Sequence, residues 1–185
     1  MKIAVYSGSF NPLHVGHLAI MQTLSEWDGC DWTYLVISPL NPFKAGKRMA
    51  SGKKRYLAAL EALKRHPGLK VWLDDIELRM PQPSYTILTL DAMKKREPEN
   101  EFKLVIGADN LAVFRSWKDY KRILTDYSVA VYPRGGFDTR EIAASLLAED
   151  PSYKIEILES PMVDVSSTRI REAMESGEDV KDLLM

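Results

Sequence analysis

Two histidines stand three residues apart in a glycine-containing loop near the amino terminus. The run GSFNPLHVGH, residues 8–17, lies between two apolar segments and contains His14 and His17. Residues with this spacing share one face of the first turn of a helix, where backbone N–H groups are free and the dipole is positive. Two imidazole donors at such a position form a phosphate site, so the spacing predicts phosphate binding.

Other interpretations of this loop are weaker. The histidines could be ordinary surface or capping residues, but the chain has only three histidines and two of them lie here. Histidine pairs that bind a metal from a helix more often show the i, i+4 spacing of H-E-x-x-H, and Cys30 is the single cysteine, so we expect no metal site. The loop is neither G-x-G-x-x-G nor Walker A, which argues against a dinucleotide-reducing enzyme and a P-loop ATPase.

A second group of anion-binding side chains lies in VSSTRIRE, residues 165–172. Ser166 is predicted to cap a helix, and Ser167 and Thr168 add hydroxyl donors. Arg169 and Arg171 fall in the first turns of this helix, where each positive charge interacts unfavourably with the helix dipole by roughly 0.3–1 kcal/mol. A bound anion would remove that conflict, and Arg171 can hold a phosphate through two hydrogen bonds. The alternative is a poorly capped surface helix.

Six β-rich runs alternate with stretches of helical spacing. The runs are residues 2–7, 32–38, 70–73, 102–107, 127–132 and 153–158. The helical repeats are Ile20, Leu24 and Trp27; Leu57, Leu60 and Leu63; Ile87, Leu90 and Met93; and Ile142, Leu146 and Glu149. This alternation predicts an α/β fold, a Rossmann-like doubly wound parallel sheet with helices on both faces. Ligands bind at the carboxyl ends of such strands, where the first loop lies.

Length and composition favour one soluble domain that spans residues 1–185. The 185 residues are close to the roughly 150 of one average domain. The balance of 25 basic and 26 acidic residues argues against a protein devoted to nucleic acid or anionic membranes. The longest apolar run has five residues, 56–60, whereas a membrane span needs about 20. No secretory signal is visible, so we expect a cytoplasmic protein.

Both end motifs resemble signatures of the nucleotidylyltransferase superfamily. The first loop is similar to Gly-(Gly/Ser)-(Thr/Ser)-Phe-(Asp/Asn)-Pro followed by His-x-Gly-His, and residues 165–171 match every position of (Ile/Val)-Ser-Ser-Thr-x-Ile-Arg. The resemblance implies attack on the α-phosphate of a nucleoside triphosphate, release of pyrophosphate and no covalent enzyme intermediate. The residues implied for ATP in these motifs are Gly8, Ser9, Phe10, His14, His17, Ser167, Thr168 and Arg171.

The middle of the chain resembles nicotinate mononucleotide adenylyltransferases. Residues 83–90, PSYTILTL, are similar to Pro-Ser-Tyr-Thr-x-x-Thr-Leu, and residues 102–117 also match. The resemblance implies Gly107 and Asp109 beside the ATP ribose, and Tyr85, Thr86, Trp117 and Arg134 for the second substrate. It implies that Trp117 stacks on the pyridine ring and that N–H groups near Thr86 meet the nicotinate carboxylate. By residue type alone, Trp117 could equally be a packing anchor, Tyr85 and Thr86 could begin a helix, and Asp109 could cap one.

Two positions depart from the family pattern. Ser7 stands where many members have glycine, and Phe43 replaces the histidine of a common Pro-His-Lys loop, although Lys44 is retained. Six basic residues and no acid lie between Lys44 and Arg55. A lid over ATP, an RNA-binding patch and a solvated loop with a basic helix start all fit this run.

These expectations describe transfer of the adenylyl group of ATP to nicotinate mononucleotide, with Mg²⁺ carried in on ATP. The predicted catalytic residues are His14, His17, Lys44 and Arg171. We expect no nucleic-acid or membrane partner, and the sequence leaves open whether the protein is a homo-oligomer. The alternatives are another adenylyltransferase, acting on phosphopantetheine or nicotinamide mononucleotide, and a non-catalytic nucleotide sensor. Phosphopantetheine enzymes usually have Thr where His14 stands.

Overall fold

The computed structural model describes residues 1–39, 50–163 and 165–185, and six strands in these ranges form one parallel sheet. The strands are β1 (Lys2–Gly8), β2 (Trp32–Ile37), β3 (Val71–Asp74), β4 (Glu101–Gly107), β5 (Val129–Tyr132) and β6 (Ile155–Ile157). The helices are α1 (Val15–Glu26), α2 (Gly52–Lys64), α3 (Ile76–Arg79), α4 (Thr86–Arg96), α5 (Ala108–Ala112), α6 (Tyr120–Arg122), α7 (Thr139–Glu149) and α8 (Ser167–Glu175). The strand order is β3-β2-β1-β4-β5-β6, which confirms the predicted doubly wound sheet. The order in which strands are added to the sheet reverses between β1 and β4, and ligands bind at this point in such folds.

Helices cover both faces of the sheet because alternate strand residues point to opposite sides. Ile3 and Val5 of β1 join a core cluster with α4 and α7, whereas Ala4 and Tyr6 join a second cluster with α1 and α2. All four residues of β5 are buried, as expected for a strand covered on both faces. No helix among the described residues is long and apolar enough to cross a membrane.

The structure places some helix faces and boundaries differently from the sequence pattern. The leucines whose spacing predicts α2 do not form its buried face: Leu57 is 50% exposed, and the buried residues are Arg55, Ala59 and Ala62. The small alanines pack into the second core cluster, while Leu63 lies only partly buried at its margin. The strand predicted over residues 127–132 begins only at Val129, because a π-helical turn occupies Ile123–Tyr127.

Candidate active site

The loop between β1 and α1 stacks its two histidine rings. Their centroids lie 3.6 Å apart with an interplanar angle of 24°. His14 has extended backbone and occupies the N-cap of α1, so it lies just before the helix rather than on its first turn. Its backbone N–H donates to Nδ1 of His17 at 3.2 Å. The neutral imidazole of His17 therefore carries its proton on Nε2, where it can be donated to a ligand.

Small and strained residues around the stack make it possible. A Cβ on Gly16 would lie 3.1 Å from both Cε1 and Nδ1 of His14, so a larger residue would press on that ring. Phe10 packs edge-on against His17 with a centroid distance of 5.0 Å. It does so with a left-handed φ of 43°, a conformation that costs a non-glycine residue roughly 1–2 kcal/mol. The loop therefore stores backbone strain beside the imidazole.

Burial keeps both histidines uncharged. It lowers the pKa of His14 to about 4, with a further contribution from the cationic Arg134. It also lowers the pKa of His17 well below its usual value, and His14 and Arg134 add to that shift. Nδ1 of His14 is buried without a hydrogen-bond partner among the described residues. Burial thus favours two neutral rings, and a nearby polyphosphate would favour their protonation.

The last helix is tied to the first loop. Ser166 caps α8 by accepting a hydrogen bond from the N–H of Arg169 at 3.2 Å, which confirms the predicted cap. The hydroxyl of Ser167 donates to the carbonyl of Pro12 at 3.2 Å. The guanidinium of Arg171 donates to the carbonyl of Asn11 at 2.7 Å and to the hydroxyl of Thr168 at 3.1 Å. Part of the donor capacity of this arginine therefore holds the loop itself.

The residues after α8 also reach the first loop. Leu184 forms an isolated antiparallel bridge with His14. The N–H of Met185 donates to the carbonyl of Leu13 at 3.5 Å, and the side chain of Met185 is buried in the second core cluster. The backbone from Asn11 to His14 is thus supported by two separate parts of the carboxyl-terminal segment, α8 and the last two residues.

The ends of β4 and β5 bring an acidic and a basic side chain together. Nε of Arg134 lies 3.5 Å from Oδ1 of Asp109. Asp109 lies in the first turn of α5 but makes no capping hydrogen bond, and Gly107 occupies the N-cap, so the suggestion that Asp109 caps this helix is wrong. A Cβ on Gly107 would lie 2.3 Å from Oδ1 of Asp109. A larger residue at position 107 would therefore displace that carboxylate.

These elements enclose a cleft of about 490 Å³ at the carboxyl end of the sheet. Its lining includes His14, His17, Asp109, Arg134 and Ser166. It also includes four residues that sequence reasoning missed, Tyr6, Tyr132, Phe137 and Met162. Tyr6 and Tyr132 lie near the carboxyl ends of strands β1 and β5, and their placement there is the signal that could have found them. Phe137 and Met162 are exposed apolar side chains, 43% and 69% exposed, on loops with no motif.

The residues predicted for the second substrate form a different group. Tyr85 is the N-cap of α4 and Thr86 begins the helix, as the residues alone suggested. The Lys118 ammonium lies 4.6 Å above the ring of Tyr85. The neighbouring Trp117 is partly buried with its ring 4.9 Å from that of Phe114. None of Tyr85, Thr86 and Trp117 is among the residues that line the 490 Å³ cleft.

Comparison with known proteins identifies the family. Residues 5–173 match the cytidylyltransferase-like family. The chain belongs to this family. A Bacteroides fragilis relative named "Probable nicotinate-nucleotide adenylyltransferase" is 38% identical over 183 residues, which cover 99% of this chain and 87% of the relative. A Flavobacterium johnsoniae relative of the same name is 36% identical and covers 100% of this chain and 92% of its own length.

A solved structure with a similar fold supports the architecture. Plasmodium falciparum nicotinic acid mononucleotide adenylyltransferase complexed with NaAD superposes with a TM-score of 0.77 over 98% of this chain and 87% of that chain. At 19% identity this likeness concerns the fold. Membership of the cytidylyltransferase-like family confirms the superfamily resemblance of the two end motifs.

The structure brings the two end motifs of the family together but not every predicted residue. His14, His17, Ser167, Thr168 and Arg171 all meet around the first loop, and Gly8 and Phe10 pack within it. Ser9 contributes its carbonyl, which accepts a 2.6 Å hydrogen bond from the buried Arg55. Arg134, predicted with the second substrate, lines the cleft beside the histidines instead. Phe43 and Lys44 lie outside the described residues.

Proposed function

We propose that this chain transfers the adenylyl group of ATP to nicotinate mononucleotide, forming nicotinate adenine dinucleotide and pyrophosphate. The carrying observation is the stacked His14–His17 pair, which lines a cleft and is held by α8, in a chain whose relatives with that name match it along its whole length. The P. falciparum neighbour of the same fold is complexed with NaAD. A single domain in the cytoplasm, as expected from the sequence, completes the proposal.

The mechanism is an in-line displacement at the α-phosphorus. An oxygen of the mononucleotide phosphate forms the new bond, and the bond to the bridging oxygen of the β-phosphate breaks with its electron pair leaving on pyrophosphate. The attacking phosphate is already anionic, so no protein base is required. Catalysis consists of orientation and stabilisation of charge on the phosphate oxygens.

The side chains divide these tasks. His17 donates from Nε2 to a phosphate oxygen, and His14 lies stacked upon it. Arg134 in the cleft lining and Arg171 at the carbonyl of Asn11 supply positive charge, and Lys44 is proposed as a third cation. Gly8, Ser9, Phe10, Ser167 and Thr168 shape the phosphate site, and Gly107 and Asp109 lie beside the ribose in this proposal.

Magnesium enters with the nucleotide. No group of three or more His, Cys, Asp or Glu side chains in residues 1–39, 50–163 and 165–185 could hold a metal ion. A Mg²⁺ ion bound to ATP would take its ligands from phosphate oxygens and water, as Mg²⁺ does in many nucleotide sites. Its contribution would be to neutralise charge on the triphosphate.

The acceptor is proposed to bind near the amino end of α4. Tyr85 and Thr86 begin this helix, whose free N–H groups suit a carboxylate. Trp117 offers an aromatic face to the flat pyridine ring. The Lys118 ammonium, which lies above Tyr85, adds positive charge to this group. These features favour the acid over the amide as the second substrate.

Pyrophosphate release from Mg·ATP tests the proposal. Parallel reactions contain nicotinate mononucleotide, nicotinamide mononucleotide, phosphopantetheine or no acceptor. We expect release with nicotinate mononucleotide at a kcat/KM well above that of the other acceptors. Release with phosphopantetheine instead would retain the phosphate site and refute the acceptor. ATP binding without release in any reaction would support a nucleotide sensor.

A further inference from the structure

A buried carboxyl group lies beneath the loops that carry the site. Glu77 belongs to the short helix α3 and is only 6% exposed. Its Oε1 accepts hydrogen bonds from the hydroxyl of Ser7 at 3.0 Å and from that of Thr89 at 3.2 Å. The hydroxyl of Ser7 is in turn 2.8 Å from that of Ser38. One carboxyl group therefore connects three hydroxyl groups from three separate elements.

Each partner lies at or next to one end of an element that borders the proposed site. Ser7 is the penultimate residue of β1 and directly precedes Gly8 of the first loop. Ser38 follows the last residue of β2 at the same edge of the sheet. Thr89 is in the first turn of α4, and its hydroxyl is also 3.4 Å from the carbonyl of Tyr85. The network thus spans both the ATP loop and the helix end proposed for the acceptor.

The main chain of Glu77 extends the network to the segment before α4. Nε2 of Gln82 donates to the carbonyl of Glu77 at 3.3 Å, and Oε1 of Gln82 accepts from the N–H of Ser84 at 3.3 Å. The turn that leads into α4 is therefore fixed to the same residue as its first helical turn.

Because Glu77 is buried, leaving its carboxyl group without hydrogen-bond partners would destabilise the fold. Burial raises the pKa of Glu77, while hydrogen bonds from Ser38, Ser7 and Thr89 hold it lower than burial alone would. Removing the carboxyl would leave three hydroxyl groups without this shared acceptor in a largely dry space. A glycine in place of Ser7, as in many family members, could not make the first of these bonds.

We infer that Glu77 is a positioning residue for adenylyl transfer, which holds the amino end of α4 against the ends of β1 and β2 and so sets the acceptor in line with the α-phosphate of ATP. The inference rests on the proposed function, because that function places the acceptor at α4. Glu77 itself does not line the cleft and touches neither substrate in this scheme.

Steady-state kinetics of Glu77→Ala and Glu77→Gln test the inference. Asp91→Ala is the matched control, because Asp91 also lies on α4 and accepts hydrogen bonds from the hydroxyl of Tyr127 at 2.6 Å and from the guanidinium of Arg122 at 3.1 Å, and neither partner is proposed to touch a substrate. The readouts are kcat, the KM for each substrate, the Kd of ATP by calorimetry and the thermal midpoint. All kinetics are measured well below each variant's midpoint.

We expect Glu77→Ala to lower kcat and raise the acceptor KM by roughly tenfold each, less than the about 10²-fold that a 1 Å misplacement can cost. The Kd of ATP should change less than threefold, because the histidines, Arg134 and α8 remain. Glu77→Gln keeps a carbonyl acceptor in the same place and should recover most of the loss. Asp91→Ala should alter the midpoint while leaving both kinetic constants within twofold.

Three results would overturn the inference. One is unchanged kcat and KM in folded Glu77→Ala, and another is an equal kinetic loss in Asp91→Ala. The third is a rise in the Kd of ATP as large as the rise in acceptor KM. Absence of acceptor-dependent pyrophosphate release in the wild-type chain would refute the proposed function and the inference together, whereas wild-type release with normal Glu77→Ala kinetics would refute the inference alone.

Discussion

Replacing Gly16 by alanine distinguishes the contribution of this residue to helix stability from its contribution to the position of the two histidine rings. The new Cβ would lie 3.1 Å from Cε1 and Nδ1 of His14, inside the 3.4–4 Å of ordinary contact. The His14 ring must then move by a few tenths of an ångström. Because that ring stacks on His17 at 3.6 Å, the movement disturbs both imidazoles.

The two consequences have opposite signs. Alanine within a helix is more stable than glycine by roughly 0.5–1 kcal/mol, which offsets the steric strain. We therefore expect the thermal midpoint to shift by no more than about 2–4 °C. A 1 Å misplacement can lower the rate about 10²-fold. A shift of a few tenths of an ångström should therefore lower kcat roughly tenfold.

Pyrophosphate release at saturating substrates and a thermal unfolding curve give the two readouts. Gly68→Ala is the control, since its Cβ would meet nothing within 4 Å. Wild-type turnover in Gly16→Ala would refute the argument that this glycine exists to admit the His14 ring. A large fall in the midpoint, with activity lost in proportion, would assign Gly16 to folding instead.

Three further outcomes follow from the same geometry. His17→Ala should lower turnover by roughly 10²–10³, the usual loss of one transition-state donor, and near-normal turnover would exclude that role. Gly107→Ala should raise the KM for ATP about tenfold, since its Cβ would lie 2.3 Å from Oδ1 of Asp109, and equal loss for both substrates would count against a ribose site there. The pKa values of His14 and His17 are lowered in the folded state, so the unfolded state binds more protons as pH falls. Stability of the ligand-free protein should therefore decrease from about pH 6.5 down to about 4, and a His14→Gln variant with the same slope would contradict this.

The sequence was sufficient where local patterns carry the information. Strand and helix periodicities are local, and they predict the order of elements and hence the doubly wound sheet. The two phosphate motifs are also local, and the hydrogen bond between Ser167 and Pro12 shows why they must be read together. The N-cap at Ser166 follows from residue type alone.

Contacts between distant residues could not be predicted in this way. The Glu77–Ser7 bond joins residues 70 apart, and nothing near Glu77 in the sequence marks it. The leucine spacing predicts helix α2 but not its buried face, where Ala59 and Ala62 pack against the sheet. Tyr85, Thr86 and Trp117 show their local structural roles here, and their contacts with a substrate remain predictions.

The contacts that the carboxyl-terminal segment makes with the first loop have a consequence for synthesis of the protein. The loop leaves the ribosome early, but Ser167, which holds Pro12, follows it by 155 positions, and Leu184, which pairs with His14, comes later still. Strands β1 and β2 can pair as soon as both have emerged, since domains begin to fold during translation. The phosphate site cannot form at that stage. The first motif to be translated can bind phosphate only after α8 and the residues that follow it have left the ribosome. A nascent chain stalled before α8 should consequently contain a partly formed sheet and should not bind ATP.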